Sequence, residues 1–436
     1  MKRVLIIANL YHASPRIPGV GTYLQEFGWE ATIITPYIGK DEENRLGFPK
    51  QFLDMAKIVE ANYRGDIFWF WRKLFKVFGF KTKESITEQI KKHVGVISKR
   101  SLIDFLMNWY QTFFAYPDTE KTWEKPALKA ASEVLRKEHF DAILSSSPFP
   151  TSHVVAAELK KRFNLFWLAD FRDLWTQNHN YPYNSLRRMI EKRLELRTLL
   201  QADALVTVSL PCAERLQVLH EEKPTYVITN GFDPEEINIP PIDLTSKFTI
   251  TYTGQIYPGK QNPLSFFAAL RNLISDGTIQ PNDIEIRFYS PKQEWLSKEI
   301  ERYRLSSITT HYGRVPKNVS LEKQRESQIL LLLNWEDQRE RGVYTTKIFE
   351  YLAAQRPILA VGGSGEDVVK KLLDETKSGV YCKNMDNVKD WLYHFYLEYK
   401  QKGEVRYKGD MEKSDKYSYR EIAKKFADIL NQISKE

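Results

Sequence analysis

Short aliphatic runs that alternate with helix-length segments constrain this chain more than any other feature. VLIIANL (4–10), ATIITP (31–36), DAILSS (141–146), LFWLAD (165–170), ALVTVS (204–209) and YVITN (226–230) read as strands with little polar surface. Between them lie amphipathic stretches such as VVAAELKKRF and PCAERLQVL, and RRMIEKRLELR in the long helix over 185–200. A strand buried on both faces needs helices on both sides of its sheet, so the alternation predicts a doubly wound parallel α/β architecture. FTITYTG (248–254), IEIRFYS (284–290), ILLLLNW (329–335) and PILAV then carry a second series. The intervening DPEEINIPPIDLTS is rich in proline and acid and has no hydrophobic period, which marks it as a linker. Two domains follow, over 1–236 and 245–417, with a cleft between them as the natural place for a ligand.

Composition narrows the ligand. The 436 residues are 42% hydrophobic and carry a formal net charge of +8, which favours an anionic partner. Cys212 and Cys382 are the only cysteines, too few for a disulfide framework or a thiolate zinc site, as expected in a reducing cytosol. MKRVLIIANLYH lacks the pattern of a secretory leader, and no apolar run reaches the roughly 20 residues of a membrane span.

Gly342 to Gly365, GVYTTKIFEYLAAQRPILAVGGSG, holds the clearest anion site. A helix that begins beside Thr345 and Thr346 turns backbone N–H groups and the positive end of its dipole outward, and Lys347 adds a cation. Glu350 shares the helix face of Thr346 and Lys347, so the face suits a ligand with both phosphates and hydroxyls. An internal Lys347–Glu350 ion pair on a threonine-capped helix is the structural alternative. Gly19 and Gly21, ahead of a helix expected around Thr22 to Phe27, read as a loop that lets backbone approach a phosphate or merely serves the turn. Gly254 to Gln261, GQIYPGKQ, imitates a P-loop, but Gln261 stands where a magnesium-binding hydroxyl belongs and Pro258 removes an amide from the cradle. Lys260 on a glycine loop remains a phosphate contact, and an ATPase built on this loop is the rival reading. Asp170, Arg172 and Asp173 come at the carboxyl end of a strand, as ligand-binding groups or as an ion-pair corner.

Residues 63–116 interleave aromatic and basic side chains. On a helix, Ile67, Phe70, Trp71, Leu74 and Phe78 form one stripe, with Arg72, Lys73 and Lys76 away from it, a pattern of peripheral contact with anionic membrane or of core packing. No nucleic-acid module accompanies it, so no nucleic-acid partner is expected.

YTGQIYPGK followed by TTKIFEYLAAQRPILAVG resembles the carboxyl-terminal domain of the GT4-type retaining glycosyltransferases, whose fold is GT-B. PGVGTYL, ADFRDLW, LVTVS and ITNGFD resemble members that build bacterial capsular or O-antigen polysaccharide. The resemblance implies two Rossmann-like domains facing each other, the second binding a nucleotide diphosphate sugar, here a UDP-sugar. It also implies that the helix over 418–436 returns to the first domain. The family's diphosphate-binding lysine falls on Lys260, while its arginine position holds Gln255. Of its two glutamates, the ribose-binding one matches Glu350, and the sugar-binding one falls on Gly342. Tyr344, Thr345 and Thr346 match the segment that meets sugar and phosphate, and Gly254 belongs to the donor loop. Lys347 is positioned to supply the cation lost at Gln255.

The implied reaction is transfer with retention, assisted by the leaving diphosphate, with no cofactor or metal required. Lys260, Lys347 and the Gly19–Gly21 loop would stabilise developing charge, with Asp170, Arg172 and Asp173 around the acceptor. For the family's histidine the candidates are His153 and His12. The acceptor would be a glycan, carried on polyprenyl diphosphate, placing the protein in the cytoplasm at the inner face of the membrane. A noncatalytic protein of this fold that binds sugar nucleotide or lipid is the third reading.

Overall fold

The computed structural model describes residues 1–10, 15–38, 48–49, 51–63, 65–69, 112, 115–237, 240, 242–337 and 340–434. Strands β1 (Lys2–Ile7), β2 (Trp29–Pro36), β3 (Lys57–Ala61), β4 (Ala142–Ser146), β5 (Phe166–Phe171), β6 (Ala204–Thr207) and β7 (Thr225–Val227) form one sheet. β8 (Phe248–Thr253), β9 (Ile284–Tyr289), β10 (Thr309–His311), β11 (Ile329–Leu333), β12 (Ile358–Val361) and β13 (Gly379–Cys382) form a second. The orders are β3-β2-β1-β4-β5-β6-β7 and β10-β9-β8-β11-β12-β13. Every pairing is parallel.

The helices used below are α1 (Arg16–Tyr23), α2 (Glu124–Lys137), α3 (Thr151–Phe163), α4 (Ser185–Leu199), α5 (Leu210–Leu219), α6 (Leu264–Ser275), α7 (Lys347–Ala354) and α8 (Tyr419–Ile433). Side chains alternate along β1: Val4 and Ile6 join the core that holds α1 and α8, while Leu5 and Ile7 join the opposite core with Trp123, Trp167 and Ala131 of α2. This two-sided burial is why the strands read as continuous aliphatic runs.

α8 lies in the core of the first sheet although it is the last helix. Tyr419, Ile422, Ala423, Phe426, Leu430 and Ile433 are buried at helical spacing, and the Ser418 side chain caps the helix by accepting from the Glu421 N–H. The chain therefore crosses between domains twice, and the crossings pair: Phe232 N–H donates to Tyr417 O at 3.1 Å and Tyr419 N–H to Phe232 O at 2.8 Å.

Two local expectations change. The first helix starts at Arg16 and not near Thr22, so Gly19 and Gly21 lie inside it and are buried. The edge strands β3, β10 and β13 were not expected from the sequence; they are short and partly exposed, and so lack the aliphatic run of a central strand. Of the aromatic and basic region 63–116, only residues 63, 65–69, 112, 115 and 116 are described, and the expected membrane-facing stripe beyond Trp69 lies outside the described residues.

Candidate active site between the two sheets

In each sheet the strand order reverses beside the first strand, between β1 and β4 and between β8 and β11. Crevices for ligands open beyond the carboxyl ends of strands at such points. In the second sheet the crevice lies between the Gly254–Lys260 loop, which follows β8, and residues Asn334 to Asp337, which follow β11.

Lys347 is placed there by packing. α7 is pinned under the sheet by Tyr351, whose hydroxyl accepts from Thr253 N–H at 3.1 Å and donates to Leu331 O at 3.2 Å. At the head of the helix Lys347 Nζ donates to Tyr252 Oη at 2.6 Å and to Gln255 O at 2.8 Å, and lies 4.6 Å from the Tyr252 ring centre. Gly254, with φ of +84°, leaves the room: a Cβ there would stand 2.6 Å from Lys347 Cε. Both hydrogen-bond acceptors are neutral. Desolvation lowers the Lys347 pKa to about 8, with Glu350 opposing the shift.

Lys260 faces the same space. Its ammonium donates to Asn180 Oδ1 of the first domain and lies 5.6 Å from the Trp335 ring centre. Among the described residues, no carboxylate is hydrogen-bonded to either ammonium. A cavity of about 540 Å³ runs between the domains here, lined in part by Asp173, Gln255, Lys260, Thr345, Thr346 and Lys347. No side chain caps α7, and Thr345 Oγ1 is buried without a hydrogen-bond partner. Gln255 carries no charge of its own, but its backbone oxygen holds Lys347, and Arg314 donates to its side chain at 3.4 Å. Glu350 is half-buried on the same helix face and accepts from Gln324 at 3.3 Å.

A neighbouring cavity of about 170 Å³ is lined by Arg172, Asp173, His179, Arg215, Glu340 and Tyr344, among others. Arg172 pairs with Asp173 at 2.9 Å, and the Asp173 backbone is tied to Ser147 Oγ. Glu340, from the second domain, meets Arg215 at 3.1 Å and His179 Nδ1 at 3.6 Å. His179 also contacts the Trp335 ring edge-on at 5.5 Å and Asn180 Nδ2 at 2.7 Å; burial lowers its pKa, opposed by Glu340.

Several residues expected at the site are elsewhere. Asp170 is fully buried, accepts from Arg16 at 3.0 and 2.8 Å and from Ser146 Oγ at 2.7 Å, and lines neither cavity. It is the ion-pair corner, separated from Arg172 and Asp173. Gly19 and Gly21 form no phosphate loop: a Cβ on Gly19 would stand 2.3 Å from the Tyr419 ring, and one on Gly21 would stand 3.0 Å from Phe52. They are small so that α1 can approach α8 and its neighbours. His153 is buried, stacks on Phe171 at 4.5 Å and contacts Ser145 Oγ at 2.8 Å, and burial lowers its pKa to about 4. His12 lies outside the described residues.

The P-loop imitation fails on its amides. Lys260 N–H and Gln261 N–H both donate to Tyr257 O, at 3.1 and 2.9 Å, and Tyr257 N–H donates to the Gln261 side chain. The following helix, α6, begins only at Leu264. Those N–H groups do not line a phosphate cradle.

Gly342 has a structural cause. Its carbonyl is 3.8 Å from Cys212 Sγ, and a Cβ would meet Ser209 Oγ at 2.9 Å and Pro211 at 3.1 Å. A glutamate there would push against the first turn of α5; the second-domain carboxylate that lines the smaller cavity, across from Asp173 of the first domain, is Glu340. Sequence reasoning missed Glu340, His179, Asn180, Arg215 and Trp335. The available signal was TQNHNYPYN, a polar stretch with a histidine on the same strand-to-helix connection as Arg172 and Asp173.

Two parallel-sheet α/β domains, each turning its crevice toward the other, define the GT-B fold. Residues 105–236 match the family described as Glycosyltransferase Family 4. No curated protein matches the sequence. The chain is similar in structure to a glycosyltransferase from Rickettsia africae ESF-5, at 14% identity and a TM-score of 0.61, covering 100% of this chain and 99% of that one. It is also similar to Anabaena Alr3699/HepE in complex with UDP and glucose, at 10% identity and 0.61, over 99% and 100%. A variant of S. aureus TarM in complex with fondaparinux, alpha-GlcNAc-glycerol and UDP gives 12% and 0.59, over 99% and 100%.

Proposed function

We propose that this protein is a retaining glycosyltransferase that moves a sugar from a nucleotide diphosphate sugar, a UDP-sugar, to a glycan acceptor. The observation that carries the reading is the pair Lys260 and Lys347, the second at the head of α7. Two ammonium groups face one cavity, and a diphosphate supplies the counter-charge that hydrogen-bonded carboxylates do not. The match to Glycosyltransferase Family 4 over 105–236 supports the reaction class. The UDP in the HepE and TarM structures supports uracil as the base.

In this reading Glu350 holds the ribose, and Tyr344, Thr345 and Thr346 adjoin the sugar and diphosphate. As the bond from sugar to diphosphate breaks, negative charge grows on the leaving oxygens, where Lys260 and Lys347 stabilise it. The leaving diphosphate takes the acceptor proton on the same face of the sugar, so no carboxylate nucleophile is needed. Arg172, Asp173, His179 and Glu340 shape the smaller cavity, where sugar and acceptor hydroxyls meet. The acceptor is a polyprenyl-diphosphate-linked glycan of surface polysaccharide assembly, reached at the inner face of the membrane, and catalysis is metal-independent.

Thermal unfolding with UDP, GDP, ADP and ATP tests the donor. UDP should raise the midpoint most, because a ligand that binds only the folded state stabilises it. Stabilisation by ATP with none from UDP would instead support an ATPase. Donor turnover in EDTA should equal that in magnesium; activity lost in EDTA and restored by magnesium would overturn the metal-independent part.

A further inference from the structure

Helix α4 is built inside out. Its buried face carries Arg187, Glu191, Glu195, Thr198 and Leu199. Arg187 Nε donates to Glu191 at 2.6 Å, Trp175 Nε1 to the same carboxylate at 3.2 Å, and Thr176 N–H to Glu195 at 3.1 Å. Arg187 also donates to the backbone oxygens of Thr112 and Ala115. Both glutamates of the helix are thus turned inward and used.

The opposite face holds what a helix in water normally hides. Leu186 is 62% exposed, Met189 49%, Ile190 43%, Leu196 39% and Leu200, just past the helix end, 65%. Met189 and Ile190 follow Leu186 by three and four residues, Leu196 follows Met189 by seven, and Leu200 follows Leu196 by four, all on the side away from the buried face. Arg188, Lys192, Arg193 and Arg197 are exposed around and within the stripe, and no acidic residue of the helix is exposed. Ordinary amphipathic packing cannot explain this arrangement, because the buried face is the charged one.

We infer that α4 docks the protein on an anionic lipid bilayer, its aliphatic side chains entering the interface and its four cations meeting lipid phosphates. Charge complementarity selects the occupant: apolar insertion with uniformly basic flanks fits a negatively charged bilayer and gives no acid for a basic partner. The helix is 15 residues long and directly follows the connection that carries Arg172, Asp173, His179 and Asn180 to the cleft. Docking would hold the first-domain wall of the cleft toward the membrane, where a lipid-linked acceptor is presented. The inference rests on the membrane part of the proposed function, and not on the identity of the donor.

Sedimentation of the full chain with vesicles tests it, using phosphatidylcholine alone and with about one third phosphatidylglycerol. The protein should bind the anionic vesicles and be released by salt. Met189→Glu with Ile190→Glu should weaken binding about tenfold or more, and Arg193→Gln with Arg197→Gln should abolish the preference for anionic lipid. Both variants should keep the wild-type unfolding midpoint and its shift with UDP, which shows that fold and donor site are intact. Variants that bind vesicles as tightly as wild type would overturn the docking face and leave membrane association standing. A wild-type protein that binds no vesicles would overturn both. A concentration-dependent dimer in analytical ultracentrifugation, dissolved by Met189→Glu with Ile190→Glu, would assign the face to a second copy and overturn the lipid assignment.

Discussion

Asp170 and Lys347 stand at corresponding places in the two halves of the molecule, one at the carboxyl end of a strand and the other at the head of a helix facing such ends. Their environments differ in one respect. Asp170 has a buried arginine on both oxygens and a serine besides, whereas Lys347 is held by a phenol and a peptide oxygen, neither of them charged. The first charge is neutralised by the fold and contributes to the fold. The second has no hydrogen-bonded carboxylate, and burial lowers its pKa against the opposing pull of Glu350. In the proposed function, the charge that serves ligand binding is the one whose counter-charge is absent from its own hydrogen bonds.

That contrast can be broken from either side. Removing Arg16 strands a fully buried carboxylate, so Arg16→Ala should cost about 3–5 kcal/mol of folding stability, read from denaturant unfolding. A loss under about 1 kcal/mol would show that the corner is not structural. Lys347→Ala should instead leave stability nearly unchanged and weaken UDP binding about ten- to a hundredfold, the range expected for hydrogen bonds to a charged group. Gly342→Glu sharpens the account of the cleft. The side chain must displace Ser209, Pro211 or Cys212, so donor turnover should fall through a strain of about 1–3 kcal/mol while UDP affinity changes less. A variant as active as wild type would show that the domains need not approach at α5.

The sheets were legible because central parallel strands are buried on both faces and so carry few charges: β1 and β11 are largely aliphatic, and β8 sets Phe248, Ile250 and Tyr252 against a face of buried threonines. The start of α7 was legible too, since Thr345, Thr346 and Lys347 mark a helix start with a cation. What escaped depends on contacts between segments far apart in sequence. Whether Asp170 is free or paired is decided by Arg16, which is brought to it by the sheet. Gly19 looks like a loop glycine until Tyr419 is known to pack on it. Glu340 was overlooked because its significance lies in Arg215 and His179, on the other domain. The family's glutamate position pointed to Gly342, where the backbone itself makes the interdomain contact.

The most direct test of the central claim is calorimetric titration of UDP into wild type and Lys347→Ala at several pH values from 7 to above 9. A lysine with a pKa of about 8 in the free protein is largely charged at pH 7, and a bound diphosphate raises its pKa. Affinity should therefore be fullest below about pH 8 and fall as pH rises through it, by up to about tenfold per pH unit until the pKa of the complex is reached. In Lys347→Ala the affinity should be lower at pH 7, and this fall with pH should be missing. Equal affinities for the two proteins at pH 7, with the same dependence on pH, would contradict the assignment of Lys347 to the diphosphate.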